Sequence, residues 1–244
     1  VGAMHEQGLA RSTVSNYWRG VRLLFARVAD DHGMLNPLEY VRAPHPGVTP
    51  PRFLTPQAAE TVMRFVRNDT SARPALRTRN AALFAVMLLA GLRRAEALGL
   101  LVEDVDLDAG VIRVRYGKGR HGGKPRTVPM TPQLTTLCTA YGRLRARAVT
   151  AVPAFFLGSR GRTALSESTV MRLFRRVSRR TGIHVSPHRL RHTFCTLLSV
   201  SGVSDRLARE AMGHADYTTL QRYQHVYEGE LAAELSAKLR LDLD

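Results

Sequence analysis

Apolar residues recur along most of this chain at helical spacing. Val14, Tyr17, Val21, Leu24, Phe25 and Val28 share one stripe, which predicts an amphipathic helix over residues 12–32 that Gly33 can end. Thr55-Pro56 predicts the next start, because threonine caps and proline suits the first helical position; this helix runs to about residue 67. A polar loop follows. The unbroken apolar run from Ala81 to Leu92 then predicts a helix buried on all sides, over residues 79–90, with Gly91 as its stop and a short helix over 92–100. Further helices are expected over 132–148 and 166–180. In the second, Val170, Leu173, Phe174 and Val177 point inward, and Arg172, Arg175, Arg176, Arg179 and Arg180 point outward. Ser186-Pro187 opens another helix with Leu190, Phe194, Leu197 and Leu198 as its core stripe. Three more are expected over 204–212, 218–226 and 228–241, the last with a narrow stripe of Leu231, Leu235 and Leu239.

Alternation with period two appears in one region only. It predicts strands over 105–107, 111–116 and 126–130, with Pro129 marking an edge strand. The fold class expected is mainly α with a small antiparallel β-sheet (α+β). Ala43-Pro44-His45-Pro46-Gly47 and Pro50-Pro51 make residues 43–54 a stiff linker between residues 1–42 and a larger domain over 55–244. The first segment is too short to hold a core of its own.

Charge narrows the function. Lys and Arg number 36 against 20 Asp and Glu, so the chain carries +16 and suits a polyanion such as nucleic acid. Lysine occurs only at 118, 124 and 238, two of the three in one short segment. Cys138 and Cys195 lie in helical patterns and offer no disulfide framework or zinc site, which fits a reducing, cytoplasmic setting. The longest apolar run is too short to cross a bilayer, and no secretory signal is visible, so no membrane partner is expected.

Three stretches carry candidate chemistry. His188, Arg191 and His192 share one side of their helix, a socket suited to phosphate. Arg93 and Glu96 stand three apart and can form a local ion pair. Gly117-Lys118-Gly119-Arg120-His121-Gly122-Gly123-Lys124 is a basic hairpin loop, with Lys118, Arg120 and Lys124 able to touch DNA phosphates; it does not open a helix as a P-loop does.

In chain order, Gly91-Leu92-Arg93-Arg94-Ala95-Glu96, the Gly117-Lys118-Gly119 hairpin, His188-Arg189-Leu190-Arg191-His192, Gly213-His214 and Gln221-Arg222-Tyr223-Gln224-His225 resemble the catalytic domain of the tyrosine recombinases, or phage-type integrases. The resemblance covers about residues 50–230. It implies Arg93, Lys118, His188, Arg191, His214 and Tyr223 as the catalytic set, with Glu96 orienting the first arginine. Arg120, Lys124, Arg172, Arg175, Arg176 and Arg179 are the expected DNA contacts. Tyr217, Tyr227, His192, His225 and His121 are expected in packing or DNA contact, and Arg94 toward solvent or DNA.

The implied chemistry suits those side chains. A tyrosine hydroxyl is a weak nucleophile at neutral pH and needs an electrophilic phosphorus and a nearby base. Arg93 and Arg191 can clamp the non-bridging oxygens, His214 can add a hydrogen bond, and His188 can take the tyrosine proton. Lysine can protonate the departing 5′-oxygen, as arginine cannot. The hairpin is longer than the family pattern, so the proton donor is Lys118 counting from its front or Lys124 counting back from Pro129. No metal or cofactor is implied. The partner implied is double-stranded DNA, bound by a tetramer of this chain through exchange of the C-terminal helix, in the nucleoid. Residues 1–42 resemble only the last part of the family's N-terminal DNA clamp. Two other activities therefore stay open: an integrase-derived DNA-binding protein without full strand exchange, and a type IB topoisomerase-like relaxing enzyme.

Overall fold

The computed structural model describes residues 4, 7–45, 53–115 and 125–200, in two compact units over Val1–Pro50 and Pro51–Asp244. The expected helices over 204–212, 218–226 and 228–241 lie outside the described residues.

The first unit is built on α1 (Arg11–His32), closed by Gly33 in the left-handed conformation, φ 63°, whose N–H reaches the Ala29 and Asp30 carbonyls. The expected stripe is only partly covered. Val14 is buried, but Tyr17 and Leu24 remain 56% and 62% exposed, and Val21, Phe25 and Val28 are exposed as well. A unit of this length offers one long helix little to pack against.

In the second unit, helix starts follow the cap residues. Thr55 Oγ1 accepts from Ala58 N ahead of α2 (Pro56–Asn68). Helix α3 (Pro74–Leu88) begins five residues before the expected start at Arg79. Pro74 fits its first turn, but Arg73 makes no side-chain cap, so the usual cap-then-proline signal is missing. The short α4 (Arg94–Gly99) leads through a 3-10 turn at Val102–Asp104 into the sheet. Strands β1 (Val105–Asp106), β2 (Val111–Val114) and β3 (Arg126–Pro129) pair antiparallel in that order. Val105 faces Ile112, and Ile112 faces Val128. Pro129 sits opposite Val111 on an outer strand of this sheet, where a missing N–H is tolerated. Helices α5 (Pro132–Ala146), α6 (Glu167–Thr181) and α7 (Pro187–Val200) complete the described part. The architecture is mainly α with one small antiparallel sheet.

Helix α3 is the axis of the core. From Arg79 to Leu88 every residue is buried, and α2, α5 and α7 pack around it. Phe84 of α3 stacks on Phe174 of α6 with ring centroids 4.4 Å apart. Arg79, the one buried cation of α3, is held by Asn80 Oδ1 at 2.8 Å and the Leu157 carbonyl at 2.8 Å. Burial lowers its pKa. The segment Phe155-Phe156-Leu157 is anchored by Tyr141, whose hydroxyl accepts from Leu157 N at 3.0 Å.

Helix α7 is fastened to the start of the unit. Ser186 Oγ caps it by accepting from Arg189 N at 3.2 Å. The buried Thr193 hydroxyl accepts from Leu54 N at 2.9 Å and donates to the Arg189 carbonyl at 2.9 Å. Arg189 in turn donates to the Phe53 carbonyl at 3.1 Å and the His184 carbonyl at 2.7 Å.

Candidate active site

The site begins at the turn after α3. Gly91 has φ +61°, and the Phe194 ring fills the space a Cβ would need. Only glycine satisfies both conditions. The turn delivers Arg93 to the N-cap position of α4 and Glu96 to its first turn. Glu96 reaches back in the manner of a capping box: Oε2 accepts from Arg93 N at 2.8 Å. Its other oxygen accepts from Arg93 Nη1 at 2.7 Å.

From the sheet side, Arg126 at the start of β3 grips the same carboxylate with both nitrogens, Nη2 on Oε2 at 2.8 Å and Nη1 on Oε1 at 3.2 Å. The Glu96 side chain is 1% exposed. Burial alone would raise its pKa, but the hydrogen bonds and charges of Arg126 and Arg93 outweigh it and hold the group at about 2. Glu96 is thus a buried anion at neutral pH.

Helix α7 supplies the third cation. Arg191 Nη1 donates to the Gly91 carbonyl and lies 3.9 Å from Glu96 Oε2, beyond hydrogen-bond range. Burial, then the charge of Arg93, lowers its pKa, and it remains a cation at neutral pH. Arg93, Arg126 and Arg191 therefore surround one carboxylate, which leaves the cluster positive and suited to a phosphodiester.

His188 lies one turn before Arg191. Partial burial of the ring and the charges of Arg191 and Arg93 lower its pKa, which keeps it neutral and able to accept a proton. His192 meets it edge to face at 4.1 Å. Burial, then His188 and Arg191, takes His192 down to about 4. Among the described residues no three His, Cys, Asp or Glu side chains gather as a metal site would need.

The fold thus brings Arg93, Glu96 and Arg191 together, with His188 close enough to feel both arginines. Lys118, Arg120, Lys124, His214 and Tyr223 lie outside the described residues. Arg172, Arg175, Arg176 and Arg179 line an open groove of about 770 Å³ beside α6, with His184 and Ser186 on its wall. Arg176 is also ion-paired with Asp69 and donates to Ser71 Oγ at 2.8 Å, so it ties α6 to the end of α2. Arg94, expected toward solvent or DNA, pairs with Glu167 of α6 at 2.6 Å and touches Met171 Sδ. Arg126 had no expected role, although strand alternation places it on the same side as the buried Val128.

With this geometry in place, comparison with known proteins decides the family. A family model described as the phage integrase family matches residues 52–230. The chain belongs to the phage integrase family. Tyrosine recombinase XerA of Pyrococcus furiosus is 32% identical to it over 196 residues, covering 80% of this chain and 64% of that protein. Tyrosine recombinase XerD of Mycobacterium leprae is 37% identical over 192 residues, 75% of this chain and 59% of that protein. The chain therefore spans less than two thirds of the length of these two relatives. Tyrosine recombinase XerC of Stutzerimonas stutzeri aligns over all of this chain and 81% of its own length, at 31% identity. Among solved structures, XerA recombinase superposes with a TM-score of 0.64 at 25% identity, covering 98% of this chain and 80% of that one. XerH recombinase does so at 0.76 and 22%, covering 96% and 69%.

Proposed function

We propose that this chain is a tyrosine-type site-specific DNA recombinase, which cleaves and rejoins strands through a 3′-phosphotyrosine. The observation that carries this reading is the pair Arg93 and Arg191, brought from α4 and α7 onto one buried carboxylate with a neutral His188 beside them. In this reading the two guanidiniums hold the non-bridging oxygens and offset the charge that grows on them in the transition state. Tyr223 attacks phosphorus, and His188 accepts its proton. The bond to the 5′-oxygen breaks, and Lys118 or Lys124 protonates that oxygen as it leaves. His214 donates a hydrogen bond to the phosphoryl group. The phosphotyrosine ester keeps the energy of the broken diester, so a 5′-hydroxyl from another strand reverses the step.

The partner in this reading is double-stranded DNA. The arginine-lined groove beside α6 and the net charge of +16 support it. So do related folds bound to DNA: XerH in a post-cleavage complex with a difH substrate, and the Tn1549 integrase with a circular intermediate. Residues 1–42 act as the last part of a DNA-clamping domain and residues 43–54 as its linker. The C-terminal helix over 228–241 docks on a neighbouring copy, so that four subunits assemble on DNA in the nucleoid.

A nicked suicide substrate bearing the cognate site tests the reading. A covalent adduct should form on Tyr223, and Tyr223→Phe should abolish it with DNA binding retained. Arg93→Ala and Arg191→Ala should each slow adduct formation by roughly 100-fold or more. Adduct persisting in Tyr223→Phe but lost in Tyr217→Phe or Tyr227→Phe would move the nucleophile.

A further inference from the structure

A carboxylate has about four acceptor positions. On Glu96 four hydrogen bonds are formed, two from Arg93 and two from Arg126. Arg191 stands just outside, 3.9 Å from Oε2. Arg126 thus fills half of the only anion among the described residues of the cluster, from a side chain that is itself 5% exposed. Without it, two acceptor positions on a buried carboxylate would open beside two cations. A buried anion left half-satisfied is costly, so the nearest donor closes on it. Among the described cations not already bonded to Glu96, Arg191 stands 3.9 Å from Oε2 and is placed to do so.

We infer that Arg126 is a positioning residue: its fork on Glu96 saturates the carboxylate, so that Arg93 keeps a single side-chain bond to it, Arg191 is not drawn inward, and both remain turned to the substrate phosphate. This rests on the proposed phosphoryl transfer and adds to it a fourth, non-reacting cation. Arg126 is suited to the part because its planar guanidinium spans both oxygens at once, which lysine cannot do. Its position at the start of β3 anchors it on a paired strand. The arrangement also explains why a site built to hold an anion tolerates a buried carboxylate. Glu96 orients Arg93 through two bonds, and Arg126 keeps it from taking more.

The test compares Arg126→Gln and Arg126→Lys with the unaltered chain in two ways. The first is structural and needs no turnover: a crystal structure of each variant. Arg191 should move to within about 3.2 Å of Glu96. If it stays beyond hydrogen-bond range in both variants, the inference is overturned. The second is the adduct rate on suicide substrates carrying either an ordinary scissile diester or a neutral methylphosphonate. Arg126→Gln should lose roughly tenfold or more on the charged diester and little on the neutral one, because the neutral group asks less of the clamp. Arg126→Lys should show the same bias, less strongly, and half-site affinity should hold within about twofold. Equal slowing on both substrates would mean a general structural role and sink the inference. Absence of any adduct from the unaltered chain would count against the recombinase reading, and the Arg191–Glu96 distance would still decide the part played by Arg126. Should Arg126→Gln fail to fold, Arg126→Lys carries both measurements.

Discussion

A Cβ placed on Gly91 would overlap the ring of Phe194. The same glycine offers its carbonyl to Arg191. One aromatic ring and one guanidinium of α7 are therefore read by a single residue of the turn that carries Arg93. Gly91→Ala should cost about 1–3 kcal/mol from the left-handed backbone, with the displacement of Phe194 on top. Urea denaturation should register the loss, and adduct formation should fall further than stability alone predicts, because the Arg191 anchor moves. A variant as stable and as active as the parent would show that the turn relaxes freely.

Acid should weaken the fold in two stages. His192 is held at about 4 against an ordinary 6.5. Its folded form binds fewer protons than its unfolded form, so its contribution is present above pH 6.5 and is lost as pH falls through about 4. Glu96 is held at about 2 against 4.5, so its contribution is present above 4.5 and is lost as pH falls through about 2. Melting temperature followed from pH 7 downward should decline across both windows. His192→Asn should flatten the upper one and leave the lower one intact; an unchanged upper decline would assign it to another group.

Thr193 gives a purely structural prediction. Its hydroxyl accepts from Leu54 N. Thr193→Val keeps the shape and strands that donor, at a cost of about 1–3 kcal/mol. Thr193→Ser should recover most of it. Equal stability of the valine and serine variants by denaturant titration would remove the hydrogen bond from the account.

The proton donor to the leaving oxygen can be settled by a sulfur substitution. A thiolate departs without a proton, so a 5′-bridging sulfur should rescue the variant that lacks the general acid. Lys118→Ala should be slow on ordinary DNA and close to normal on the sulfur substrate. Rescue of Lys124→Ala in its place would assign the role to the second lysine.

The main lines of the fold were legible because its signals are local. Thr55-Pro56, Ser186-Pro187 and the run from Ala81 to Leu92 announce a cap, a first turn and a buried helix within a few residues. The start of α3 was not legible, since Arg73 before Pro74 provides no capping side chain. The stripe on α1 announces a helix correctly but not how much of it is covered. The arginines show the same limit. Nothing near Arg94 or Arg176 in sequence points to Glu167 or Asp69, because those pairs join separate elements. Arg126 lies 30 residues from Glu96, and nothing beside it in sequence points to that partner. Its inward direction was available from alternation with Val128, while its partner was not.

The backbone enters the second unit on the back of α7. Arg189 grips the Phe53 carbonyl and Thr193 receives the Leu54 amide, each within two residues of His188 or Arg191. Phe53 and Leu54 are thus tied directly to α7. The helix carries this anchor through Arg189 and Thr193 and the candidate site through His188 and Arg191. A substitution that loosened this anchor should therefore be felt where Arg191 meets the Gly91 carbonyl, at the far side of the same helix from the residues it alters.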